Sequence, residues 1–199
     1  MSSDNQETRT RILQAALGLL EASQGKDVRM TDIARQANLS RQAVYLHFGT
    51  RAELLIAATY YLDELNGVEK RLVASRTART GDQRLEAFIE TWGNYIPEMY
   101  GVGKALLVMR DTDQAAAQAW DKRMQDMREG CEAAIDALRR DKMLSSDYTP
   151  TQATDILWTM LSIRNWEQLT IECGWRQEAY IKHLNTMARR VFVVKETSK

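Results

Sequence analysis

Two cysteines in 199 residues, Cys131 and Cys173, are too few for a disulfide framework, and no CxxC or Cys-His spacing suits zinc. Both are expected as reduced thiols in a cytoplasmic protein. Histidine is as scarce, with His47 and His183 only, and the chain has no nucleophile elbow, glycine-rich phosphate loop or metal-spaced cluster. No catalytic residue, metal site or cofactor is therefore expected, and the chain is not read as an enzyme. No apolar run approaches membrane-spanning length and no secretory leader is visible, which argues against a membrane partner. Charge of one sign is missing too: 27 basic residues face 27 acidic ones, so a chain-wide attraction to polyanions is excluded. Prolines number two, Pro97 and Pro150, and strand-like alternation and internal repeats are absent. What remains is helical patterning, on a chain long enough to bury a core without covalent staples.

Within that pattern, the stretch from Met30 to Leu54 is the most specific. Thr31 is a good N-cap for a first short helix whose Ile33, Ala34 and Ala37 fall on one face. Asn38 tolerates the left-handed backbone that ends a helix, Leu39 plugs the turn, and Ser40 caps a second helix from Arg41 to Phe48. Val44 and Phe48 point inward, leaving Arg41, Gln42, Tyr45 and His47 outward. Two short helices with a turn of this length form a helix-turn-helix, whose second helix enters the major groove of DNA. Charge agrees locally: Arg29, Arg35, Arg41 and Arg51 stand against Asp32 alone, a net of +3. By donor geometry Arg41 suits a forked pair to guanine, Gln42 a matched pair to adenine, and Ala43 a thymine methyl. Thr31, Ser40, Tyr45, His47 and Arg51 are better placed for phosphate oxygens. Half-buried packing is the alternative for Tyr45 and His47.

The run from Ala43 to Arg51 followed by Glu53 and Leu54, with Thr31, Ile33 and Ala34 upstream, resembles the N-terminal domain of TetR-type (TetR/AcrR) transcriptional regulators. Asn38 replaces a usual glycine and Arg51 a usual lysine; both substitutions keep the backbone region or the cation. The resemblance implies an all-α protein: an N-terminal three-helix DNA-binding domain, residues 1–55, and a C-terminal helical regulatory and dimerisation domain, residues 56–199. It also assigns the phosphate-facing positions to DNA backbone contacts.

The remaining pattern supplies the other helices. Arg9 to Ser23 covers the helix-turn-helix with Ile12, Leu13, Ala16, Leu19 and Leu20. Thr50 caps a connector helix expected to reach about Lys70, and the polar stretch from Glu69 to Gly81 reads as a helix end and surface loop. A helix from Asp82 is expected to give way near Pro97 to a short one ending at Met109. Trp120, Met124, Met127, Cys131, Ala134 and Leu138 recur at alternating intervals of four and three, one stripe of a helix from Asp113 to Lys142. Helices near 151–173, apolar on several sides, and 177–194 complete the chain. A helix apolar all round needs two covers, most simply the rest of the chain and a second copy, giving a homodimer through these last helices.

All five tryptophans and seven of the nine methionines lie beyond residue 90. Such density suits a cavity for a small, largely apolar effector, and it suits a well-filled helical core equally. The pocket candidates are Trp92, Tyr95, Trp120, Met124, Met127, Trp158 and Met160, with Arg110 and Asn165 as polar groups that would serve equally at the surface. The expected function is a ligand-responsive repressor on double-stranded DNA carrying a palindromic operator. The alternative is a helical small-molecule binding or assembly protein that keeps the DNA-type domain as scaffold.

Overall fold

The computed structural model describes residues 3–23 and 26–194, and among them every regular element is helical. The order is α1 (Ser3–Ser23), α2 (Met30–Gln36), α3 (Arg41–His47), α4 (Arg51–Leu65), α5 (Val68–Arg76), α6 (Gly81–Met109), α7 (Gln114–Arg140), α8 (Pro150–Met160), α9 (Ile163–Trp166), a π-helical segment (Glu167–Glu172) and α10 (Gln177–Phe192). An isolated bridge between Leu144 and Val193 is the sole β-type pairing among these residues.

Local chemistry sets most boundaries. Ser40 accepts the Ala43 N–H at 3.1 Å and starts α3. Thr50 and Glu53 form a reciprocal capping box at the start of α4, and Thr149 and Gln152 form another at α8, with Pro150 inside the first turn. Asn38 takes φ 53, as the turn requires. Thr31 is not the cap expected of it: α2 begins two residues earlier, at Met30, Arg29 occupies the N-cap without a side-chain bond, and Met30 is buried. The connector helix does not reach Lys70 either. It stops at Leu65, Gly67 adopts φ 61, and α5 occupies residues expected to be loop. No atom lies near a Cβ built on Gly67, so Gly67→Ala meets only the left-handed backbone penalty. A loss of about 1 kcal/mol in chemical denaturation is expected, and no loss would mean that the turn relaxes to another conformation.

The chain forms two compact units, Met1–Asn66 with Met99–Met124, and Gly67–Glu98 with Gln125–Lys199. In the first, α1 packs on α2 and α4, and α2 on α3, around Ile12, Ala16, Leu20, Ile33, Val44, Phe48, Leu54 and Leu55. In the second, Leu85, Phe88 and Ile89 of α6, Cys131 and Leu138 of α7, Leu157 of α8 and Tyr180, Leu184 and Phe192 of α10 are buried.

Pro97 does not divide α6, which runs unbroken for 29 residues. A proline inside a helix normally strands the carbonyl four residues back and clashes with it. Here that carbonyl belongs to Gly93, and Gln177 Nε2 donates to it at 2.6 Å, while Gln177 Oε1 accepts the Trp166 indole N–H at 2.9 Å. A side chain distant in sequence thus repairs the defect. The helix expected over 151–173 is interrupted instead. Its α8 part ends at Met160, Ser162 caps α9, and the chain then widens into the π-helical segment.

Candidate nucleic-acid interface and regulatory residues

α3 presents two faces. Val44 and Phe48 are buried, whereas Arg41, Gln42, Tyr45 and Leu46 are exposed and Ala43 and His47 are half-buried. Arg41 lies over the Tyr45 ring at 5.4 Å, and its guanidinium is 3.4 Å from the hydroxyl. This is a cation–π contact on an exposed ring. The helix is braced from behind by α1, where Arg9 stacks on Phe48 at 4.1 Å and donates to the His47 carbonyl at 3.2 Å. Thr31 and Ser40 are exposed, and the Ser40 hydroxyl oxygen is already the α3 cap.

The local basic surface is thinner than the sequence count suggests. Arg29 pairs with Asp27 and Arg35 with Asp32, each at 2.9 Å. These are exposed pairs that a phosphate can replace at little cost. Arg41 makes no ion pair among the described residues, and its cation is the one presented without competition.

Arg51, expected at the DNA backbone, is engaged within the fold. Its Nε donates to the Val28 carbonyl at 2.6 Å and Nη2 to Asp27 at 3.0 Å. Nη1 donates to Asp113 Oδ1 at 2.8 Å, and Nη2 lies 2.6 Å from Oδ2. Asp113 also accepts the Ala115 and Ala116 N–H groups at the start of α7. Arg51 therefore joins the residues before α2, the first turn of α4 and the start of α7. The far end of α4 is tied to the same helix: Arg123 grips Asp63 through bonds of 2.5 and 2.7 Å.

Burial pushes the Asp113 carboxyl upward, but the Arg51 hydrogen bond, the two N–H groups and the Arg51 charge outweigh it and hold the group below its ordinary value. A depressed folded value stabilises the ionised form. The contribution is complete above the unfolded range near about 3.9 and disappears as the pH falls through the folded value. Asp113→Asn keeps an acceptor for the α7 N–H groups and removes the ion pair. It is expected to cost about 1–2 kcal/mol at neutral pH, between the costs for exposed and buried pairs, and to flatten stability below about pH 4. Equal acid sensitivity of the two proteins in urea titrations would contradict this assignment.

The nine regulatory candidates divide between the units. Trp92, Tyr95, Met127, Trp158, Met160 and Asn165 lie in the second, and Arg110, Trp120 and Met124 in the first. Trp92 and Tyr95 are buried in an aromatic row with Phe88, at centroid distances of 6.2 and 5.7 Å. Trp120 and Met127 are buried, and Met124, Trp158 and Met160 half-buried. The two polar candidates sit at the surface: Arg110 pairs with Asp121 at 3.0 Å, and Asn165 donates to the Thr159 carbonyl at 2.6 Å. Two open cavities lie within single units. One, of about 360 Å³, is lined by Asp27, Arg51, Met109, Thr112, Asp113 and Gln114. The other, of about 500 Å³, lies between α6 and α10, among residues from Glu86 to Arg189. None of the nine candidates lines either.

Tyr180 lies on the buried face of α10 with Leu184, Ala188 and Phe192. The residue is fully buried, and its hydroxyl has no hydrogen-bond partner among the described residues; burial raises its pKa well above the ordinary phenol value. An unpaired buried hydroxyl costs stability, so Tyr180→Phe is expected to be neutral or up to about 1 kcal/mol stabilising in thermal melts. A clear loss of stability would reveal a partner for the hydroxyl. Cys131 is buried, and burial pushes its thiol up to about 12, which keeps it protonated and unreactive.

Residues 12–58 match the family of bacterial regulatory proteins described as the tetR family. The HTH-type transcriptional regulator CymR of Pseudomonas putida is 23% identical over 173 residues, 86% of this chain and 82% of its own. SrpR, also from Pseudomonas putida, is 41% identical over 56 residues, which cover 28% of this chain and 26% of its own. Among solved structures, a transcriptional regulator from Saccharomonospora viridis in complex with choline aligns with TM-score 0.73 at 18% identity, covering 96% of this chain and all of its own. NalD of Pseudomonas aeruginosa, the secondary repressor of the MexAB-OprM multidrug efflux pump, aligns with TM-score 0.69 at 20% identity over 98% of this chain and 100% of its own.

Proposed function

The chain belongs to the TetR family of transcriptional regulators, and on that premise we propose that it is a homodimeric repressor released from a palindromic operator by a small, largely apolar effector. The observation that carries the DNA reading is the two-faced α3, with Val44 and Phe48 buried and Arg41, Gln42 and Tyr45 exposed. Arg41 and Gln42 read base edges, and Thr31, Ser40, Tyr45 and His47 set the register on phosphates. Residues 1–55 form the reading domain, and residues 56–199 regulate and dimerise it. Ile171, Trp175 and Met187, exposed on the π-helical segment, the turn after it and α10, support a second copy as the cover for these helices. Two recognition helices then meet successive major grooves about 34 Å apart, or a multiple of that distance.

The effector is held in the second unit, against Trp92, Tyr95, Met127, Trp158 and Met160. Its binding reaches the DNA end through α6 and α7, since Asp113 and Arg123 grip the two ends of α4. A coupling of about 1–3 kcal/mol weakens operator binding several-fold to a hundredfold. The protein works in the cytoplasm and turns nothing over.

Selection of duplexes from a random pool tests this reading. The full chain is expected to enrich a palindrome and to lose affinity steeply with salt. Arg41→Ala and Gln42→Ala should each cost about 1–3 kcal/mol on that palindrome and relax the preference at one position per half-site. No enrichment over random duplex would sink the proposal.

A further inference from the structure

Leu46 is the most exposed large apolar side chain among the described residues, at 83% of its full area, and it stands on the recognition helix. Its position is not incidental. Gln42 and Leu46 lie two residues before and two after the buried Val44, so at 3.6 residues per turn both point nearly opposite to it. They are neighbours at i and i+4, on the centre of the outward face, with Arg41 and Tyr45 along one side of them. The folded monomer gains nothing from a leucine there. Ala43, the residue expected to meet a thymine methyl, is half-buried beside Val44.

A leucine side chain has no donor or acceptor for a phosphate or a base edge, and the one apolar group on the floor of the major groove is the C5-methyl of thymine. Resting on the DNA-binding reading above, we propose that Leu46 is a specificity-determining residue that packs on a thymine methyl in each half-site. Cβ atoms at i and i+4 are about 5–6 Å apart and base pairs about 3.4 Å. The thymine therefore lies within one or two steps of the adenine that Gln42 reads. Its contribution is hydrophobic, about fourfold in affinity for one methyl group removed from water, and does not change with salt.

Replacing thymine by uracil deletes that methyl and nothing else. The experiment takes the duplex selected by the full chain, exchanges its thymines for uracil one symmetric pair at a time, and measures affinity for the wild type and for Leu46→Ala. The expected result is one thymine position per half-site whose exchange weakens the wild type about fourfold per half-site and leaves Leu46→Ala unmoved. Because Leu46 is exposed, Leu46→Ala should melt with the wild type and keep the same salt slope. An exchange that weakens both proteins equally, or no sensitive thymine at all, overturns the inference while leaving DNA binding intact. Failure of the wild type to select any duplex removes the regulator reading itself, and this inference with it.

Discussion

Asp63→Ala is expected to destabilise the protein by about 3–5 kcal/mol, more than any single change on the DNA-facing surface. The Arg123 side chain is only 7% exposed and that of Asp63 18%, and the two meet in a bidentate pair. Truncating the acid leaves a guanidinium in a largely dry place without the carboxylate that neutralised it. In a chain of this size such a loss lowers the melting temperature by roughly 10 °C or more. Replacing both residues, with Leu at 63 and Met at 123, should recover most of the loss, because desolvating the pair offsets much of its attraction. The test is the full cycle of two single variants and the double variant. A cost below about 1 kcal/mol for Asp63→Ala would show that the pair behaves like a solvent-screened one.

Such a loss would reach the recognition helix through α4. That helix follows α3 after three residues and is held at its first turn by Arg51 and near its last by Asp63. Both holds fix α4 to the segment from Asp113 to Arg123 within the first unit. This differs from a connector that bends freely. The break at Gly67 ends the helix so held at Leu65.

These holds show where sequence reading succeeds and where it stops. Ser40, Asn38 and Thr50 were legible because caps and left-handed turns are decided within four residues of chain. The inward Val44 and Phe48 were legible from period alone. The role of Arg51 was not, since its partner Asp113 is 62 residues away, and by motif position the cation looked free for phosphate. The same limit thinned the basic patch: Arg51 looked unopposed until folding brought Asp27 and Asp113 to it. Leu46 left a readable signal, its i+4 spacing from Gln42, on a helix whose other exposed side chains all carry hydrogen-bonding groups. The regulatory candidates were hardest, because the apolar stripes that line a cavity and those that fill a core have the same period. Tyr180 differs from a core residue only in a hydroxyl whose lack of a partner is a property of three dimensions.

Gln177→Leu should cost about 2–4 kcal/mol, through two groups that never touch each other in sequence. The amide donates to the Gly93 carbonyl and accepts from the Trp166 indole, and Gly93 is the residue whose carbonyl Pro97 cannot serve. A leucine of similar size fills the space and strands both an acceptor and a donor. The two shares can be separated. Pro97→Ala restores a backbone N–H that can reach Gly93, so it should compensate the carbonyl share and not the indole share. In the wild type, where Gln177 already satisfies that carbonyl, Pro97→Ala gains only the relief of the ring and its backbone propensity. The prediction is therefore a coupling: Pro97→Ala stabilises the Gln177→Leu protein by about 1 kcal/mol more than it stabilises the wild type, measured as the difference between two denaturation midpoints at constant slope. Strict additivity would mean that the Gly93 carbonyl finds another donor once Gln177 is gone, and that the continuity of α6 through Pro97 does not depend on α10.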